Sequence, residues 1–384
     1  MSAEPFALYV HVPWCRHVCP YCDFNVYAAA EPPEQPYVDA LVAELGAWTR
    51  GAPWRGRRAR TVYLGGGTPS LFSPAAIAAL LAAIARGAGL VDGAEVTLEA
   101  NPGTVTRERL AGYRAAGVNR LSLGAQSFHA AHLRTLGRDH RPEDTAAAVA
   151  GARAAGFANL SLDLIFAVPG QTLAEWENDL QAAIALDPSH VSTYALTYEE
   201  STPFHAWRAS GRLRPVEDDA EAAMAEQAIE RLGAAGYERY EISSFARPGF
   251  ASRHNTSYWD GSDYLGIGAG AHSFSAEPVP GRRWANERLP RLYLAAIGAS
   301  GTAVASEERL DQSRARAEFC FTGLRRTAGV DLEAFRRRFG VALEAAFPQV
   351  AELIAQDLLA AAGGRLRLTA RGLRFADAVA ARFV

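Results

Sequence analysis

Six short apolar runs, each followed by an amphipathic stretch, constrain this chain most. Such a series can bury both faces of its strands only as a parallel sheet with helices outside it. Strands are expected at 8–12, 61–64, 95–99, 120–123, 159–165 and 191–196, and helices at 35–48, 74–85, 107–116, 142–155, 173–186 and 220–235. Gly117, Gly156 and Gly236 each follow an alanine-rich turn and precede a strand, which is where a left-handed helix stop belongs. Periodicity does not say whether the sheet closes as a barrel or stays open. In either case ligands gather at the carboxyl ends of the strands.

Beyond about Tyr237 the pattern changes. The run SYWDGSDYLGIGAGAHSF, 257–274, is aromatic and glycine-rich and reads as a sheet extension. From about Leu310 helical stretches precede RLRLTARG, 365–372, and a closing helix, a pattern similar to a small winged helix. The expected organisation is an α/β core over 1–236, a sheet extension over 237–305 and a helical domain over 306–384. At 384 residues and 49% hydrophobic the chain can bury a sizeable core, and disorder is excluded. All 39 basic residues are arginine and the net charge is -3, so bulk positive charge does not mark a nucleic-acid binder. The absence of lysine, alongside so much alanine, reports codon bias. No run of about 18 apolar residues is present, and the N-terminus lacks the basic start and apolar core of a signal peptide. A cytoplasmic protein is expected.

Three of the four cysteines lie in CRHVCPYC, placing Cys15, Cys19 and Cys22 at C-x3-C-x2-C spacing directly after the first strand. Three thiolates on one loop can hold three corners of a cubane iron-sulfur cluster and leave one iron open. The alternative is a zinc site completed by His17 or a distant residue. GGGTPS, 65–70, follows the second strand; its glycines either admit a ligand's backbone approach or make a tight strand-to-helix turn. Cys320, in AEFCFTGL, reads as a buried small residue.

The cysteine loop and its place in the βα array resemble the radical S-adenosylmethionine (SAM) superfamily, which implies a partial (β/α)6 barrel whose three cysteines and SAM together ligate a 4Fe-4S cluster. YVHVPWC, LEANP, GAQSF, LGRDH and DLIFAVPGQT narrow the likeness to the oxygen-independent coproporphyrinogen III oxidase family and its HemW-type heme chaperones. The resemblance implies a SAM pocket lined by Tyr9, Tyr21, Gly66, Gly67, Thr68, Glu99, Gln126, Arg138 and Asp163. It also implies that RHNTSYW, 253–259, matches the HemW-type His-Asn-x-x-Tyr-Trp motif, with His254 as a heme ligand and Tyr258 and Trp259 packing on the porphyrin. Read from the residues alone, the same histidine would be hydrogen-bonded beside a core aromatic pair. Arg325 and Arg326 could pair with heme propionates or be solvated, and His272 could face the cofactor pocket or satisfy a carbonyl. Two cysteine-loop patterns distinguish the relatives: the oxidase has a further cysteine two positions after the last cluster cysteine, where Phe24 stands in this chain. The resemblance therefore implies a heme chaperone that hands heme to apo-hemoproteins, respiratory and membrane-associated ones being the expected acceptors, with the oxidase as the alternative. Nucleic acid is not an expected partner, nor is the chain an integral membrane protein; a homodimer is one candidate assembly.

Overall fold

A computed structural model describes residues 4–384. Six parallel strands form its centre: β1 (Phe6–Val12), β2 (Ala59–Gly66), β3 (Leu90–Ala100), β4 (Arg120–Gln126), β5 (Asn159–Phe166) and β6 (His190–Ala195). Each strand lies beside its sequence neighbour, the arrangement that helical crossovers produce. The crossover helices are α1 (Glu34–Thr49), α2 (Pro74–Gly87), α3 (Arg107–Ala115), α4 (Pro142–Ala154) and α5 (Leu173–Ala185), and α6 (Asp218–Ala234) follows β6. Their starts are capped locally: Ser73 accepts from Ala76 N, Thr106 from Arg109 N, and Thr172 shares a capping box with Glu175. Gly117, Gly156 and Gly236 adopt positive φ angles of 106°, 87° and 84°, as helix stops require.

The six strands curve into a partial barrel that stays open, because β1 and β6 each pair outward with another strand. The segment after α6 adds strands to both edges. β7 (Glu238–Glu241) and β8 (Ser244–Ala246) continue the sheet beyond β6. The chain then crosses through α7 (Arg253–Trp259) and adds β9 (Tyr264–Ile267), β10 (His272–Ser275), β11 (Arg282–Asn286) and β12 (Val304–Arg309) beyond β1. A second apolar core collects Leu310, Phe335, Phe347, Leu366 and Phe383 around α8 (Gln312–Gly323), α9 (Leu332–Phe339) and a small three-stranded sheet, with Phe274 of β10 reaching into it. Cys320 is buried in that core. Among the described residues no helix is long and apolar enough to cross a membrane.

Glu44 ties the first crossover helix to the extension. Its carboxylate accepts from Tyr293 Oη at 2.6 Å, Asn286 Nδ2 at 2.6 Å and Gly268 N at 2.9 Å. Burial pushes its pKa up to about 7 against the pull of these donors. Glu44→Ala strands three buried donors at once, so it should cost about 3 kcal/mol or more. A clearly lowered Tm is the expected result, with unchanged thermal stability excluding the role.

Candidate cofactor site

The cysteine loop leaves the carboxyl end of β1 and is closed at its base. Trp14 and Cys15 pair in parallel with Tyr27 and Ala28, and Cys22 N turns back to Cys19 O at 3.1 Å. Gly67 N and Thr68 N donate to Val12 O and Trp14 O, both at 2.8 Å, which clamps the turn after β2 onto this loop. A Cβ on Gly66 would lie 2.4 Å from the His11 ring, and one on Gly67 would lie 2.6 Å from Trp14 O. Packing of turn against loop requires these two glycines.

A cavity of about 410 Å³ opens at the carboxyl ends of the strands. Cys15, Cys19 and Cys22 line it together with Tyr21, Gly66, Gly67, Thr68, Glu99, Gln126, Arg138 and Asp163. All three thiols are free of disulfides. Thr68 Oγ1 donates to Cys15 Sγ at 3.3 Å, and Arg138 Nη1 lies 3.8 Å from Cys19 Sγ while its Nη2 donates to Gly124 O at 3.0 Å. Burial pushes the Cys22 thiol up to about 11 and raises Cys15 as well. Ligands of one zinc ion at ~2.3 Å would lie roughly 3.8 Å from one another. Among the described residues the three sulfurs do not all lie within 4.8 Å of one another. His17 Nε2 lies 3.9 Å from Cys19 Sγ and is bonded to Gly137 O.

The cavity is walled differently on its two sides. Tyr21 packs against Phe204 and, with Ile165 and Leu196, makes an apolar wall suited to a flat ring. Opposite it the barrel interior is polar. Tyr63 Oη donates to Glu99 Oε1 at 2.7 Å and Gly66 N to Glu99 Oε2 at 3.1 Å; Ser122 Oγ donates to Asp163 Oδ2 at 2.9 Å. Burial raises both carboxyl groups, Glu99 to about 7, with the Asp163 charge adding to the Glu99 shift. Gln126 sits at the end of β4 with φ of 62°, a left-handed conformation that a non-glycine residue adopts at a cost. Gly124 makes room for it: a Cβ there would lie 2.8 Å from Gln126 Nε2 and 3.3 Å from Arg138 Nη2.

Tyr9 departs from the expectation. It does not line this cavity; its hydroxyl lies 2.9 Å from His11 Nδ1 and its ring lies beside the stacked Tyr63–His254 pair, 6.3 Å from each. Several lining residues were not anticipated from the motifs: Tyr63, Arg120, Ser122, Ser161, His190 and Ser192. Their signal is in the sequence. Polar side chains recur at alternate positions of otherwise apolar strands, as in 120, 122 and 126 or 161 and 163, which places them all on the inner face.

The RHNTSYW segment forms α7 at the opposite, amino-terminal end of the barrel. His254 is 1% exposed. Its Nδ1 lies 2.8 Å from Thr61 Oγ1 and its Nε2 2.8 Å from Tyr258 Oη, while its backbone N donates to Glu95 at 3.0 Å. Burial pushes its pKa down to about 3. In this arrangement neither ring nitrogen is free to bind iron, so the hydrogen-bonded reading of His254 describes the fold found. Asn255 alone of the segment reaches the first cavity, as part of its floor. Tyr258 and Trp259 face elsewhere, lining a second cavity of about 270 Å³ with Tyr264, Phe274, Phe319 and Arg338. Arg325 stacks over Trp259 at 4.6 Å, and Trp259 Nε1 has no hydrogen-bond partner. Arg326 is half-buried, and His272 is exposed and lines neither cavity.

Comparison with known proteins follows this geometry. Residues 9–183 match the radical SAM superfamily and residues 310–375 the HemN C-terminal domain. Among curated proteins, the heme chaperone HemW of Escherichia coli strain K12 is 38% identical over 389 residues, covering 100% of this chain and 99% of that one. The heme chaperone HemW of Mycobacterium tuberculosis H37Rv is 38% identical, covering 99% and 95%. Among solved structures, the coproporphyrinogen III oxidase HemN of Escherichia coli superposes with a TM-score of 0.84 over 100% of this chain and 91% of that one, at 23% identity.

Proposed function

The chain belongs to the HemW family within the radical SAM superfamily, and from that premise we propose that it binds heme, carries a SAM-capped 4Fe-4S cluster and passes heme to apo-hemoproteins. One observation carries this reading: likeness to heme chaperones HemW at 36% to 38% identity runs the length of both chains. Residues in the first cavity suit the cofactors. Cys15, Cys19 and Cys22 would hold three irons, and SAM the fourth. When bound, that pair supplies one-electron cleavage of the sulfonium. Burial raises the Cys15 and Cys22 thiols, so loading should release their protons. Tyr21 offers its flat wall to the adenine, Glu99 and Asp163 accept from ribose hydroxyls or the ammonium, and Arg138 and Gln126 hold the carboxylate end.

Glu99 gives a measurable consequence. A carboxyl titrating at about 7 must lose its proton to receive a cation, so SAM binding should tighten as pH rises through neutrality. Between pH 6 and 8 the gain is about tenfold, and calorimetry in buffers of different ionisation enthalpy should detect proton release. Glu99→Gln should remove the Glu99 share of both; a variant with the parent's pH profile would exclude Glu99 from the pocket.

For heme, the favoured contact is the second cavity. Tyr258, Trp259, Tyr264 and Phe319 provide aromatic surface, and Arg338 and Arg325 provide cations for propionates. Ligation of heme iron by His254 would require α7 to give up Thr61 or Tyr258 first. The oxidase is the second reading, favoured by the shared fold. Against it, Phe24 is 66% exposed at the cavity rim, where the oxidase pattern calls for a cysteine. A cytoplasmic location and respiratory, membrane-associated acceptors complete the proposal. Its test is transfer: heme-loaded protein mixed with an apo-hemoprotein should yield the acceptor's holo spectrum, and heme that stays put would reject the chaperone role.

A further inference from the structure

We propose that His129, His132 and Glu175 form a surface site for a zinc-class divalent transition-metal ion, separate from the cysteine loop. His129 precedes the short helix Ala130–Thr135 and His132 lies within it, while Glu175 occupies the first turn of α5. One ligating atom from each lies within 4.8 Å of the other two. The histidine-to-carboxylate approaches are closer, 3.6 Å from His129 Nε2 to Glu175 Oε1 and 3.5 Å from His132 Nε2 to Glu175 Oε2. Donors around one ion at ~2.0–2.1 Å stand about 3.3 Å apart in a tetrahedron, so a small side-chain adjustment completes the set.

The two imidazoles would ordinarily be read as partners of the carboxylate alone. Two observations favour metal. His132 is 5% exposed, and its Nε2 is buried without a hydrogen-bond partner while aimed at the carboxylate. A buried polar nitrogen left unpaired is uncommon and calls for a missing partner. The carboxylate, in turn, is already oriented, since Thr172 N and Thr172 Oγ1 donate to Glu175 Oε2 at 2.8 Å and 3.0 Å. Two imidazoles and one carboxylate are the donor set of a divalent site with a coordination position left for water. The helix that carries His132 runs directly into Gly137 and Arg138, both in contact with Cys19, so bound metal would brace the rim of the cofactor cavity.

Zinc is the probe, and the cysteine loop must be removed as a competitor. Cluster-loaded protein and a Cys15→Ala, Cys19→Ala, Cys22→Ala variant are each dialysed anaerobically against zinc ions, and bound zinc is measured by elemental analysis. One zinc per chain is expected in both. His129→Ala, at an exposed position that folding does not need, and His132→Ala should each weaken binding at least roughly tenfold, as even outer partners of metal sites do. Zinc should raise the Tm of the cysteine variant and not that of the same variant carrying His129→Ala. No bound zinc in the cysteine variant, or zinc retained equally by the two histidine variants, overturns the site.

Discussion

Serine in place of any one of Cys15, Cys19 or Cys22 should abolish the 4Fe-4S signature after anaerobic reconstitution while leaving the fold intact. A cubane cluster held by three thiolates on one loop has no spare protein ligand, so one lost sulfur releases the whole group. Cys320 cannot substitute, being buried in the second core with its thiol raised by burial. The fold should survive because the loop lies above the sheet, closed by its own Trp14–Tyr27 bridge, and the main core lies among the strands and helices below it. Iron content, visible absorption and Tm measured together check this. A variant that keeps its iron would remove that cysteine from the ligand set; one that loses iron and fold together would show the loop to be structural.

His254→Ala should have the next largest effect, and on stability first. Truncation leaves a cavity at the barrel floor and orphans two buried hydroxyls, Thr61 Oγ1 and Tyr258 Oη, for a cost of about 3 kcal/mol or more. Loss of heme in that variant is therefore not proof of ligation. Thermal denaturation without heme should show the fall directly; an unchanged Tm would mean that the histidine does not pin α7. Trp259→Ala, on the cavity side of the same helix, separates the roles: it should weaken heme binding and leave SAM binding as in the parent.

The sequence revealed what local physics determines. Strand and helix limits fall within a few residues of the alternation and caps, because Ser73, Thr106 and Thr172 act on their own first turns and Gly117, Gly156 and Gly236 on their own last ones. The cavity residues were readable where they sit in motifs at strand ends. Illegible were the pairings between distant segments. His254 meets Thr61 from 193 positions away, and this, rather than anything in RHNTSYW, fixes which way the imidazole points. The Tyr9 hydroxyl meets His11 on its own strand, but its ring lies beside the Tyr63–His254 stack, partners that come from other elements. The placement of extension strands on both edges likewise depends on α7 crossing the barrel's amino-terminal end, which no local pattern encodes.

The central claim is that radical SAM architecture serves heme handling in this chain. It is tested most directly by giving one anaerobically reconstituted preparation, with SAM and a reductant, coproporphyrinogen III in one vessel and heme in another, then measuring porphyrinogen products and bound heme. Stoichiometric heme binding with coproporphyrinogen III unconverted is the result expected. Sustained decarboxylation to protoporphyrinogen IX without heme binding would contradict it.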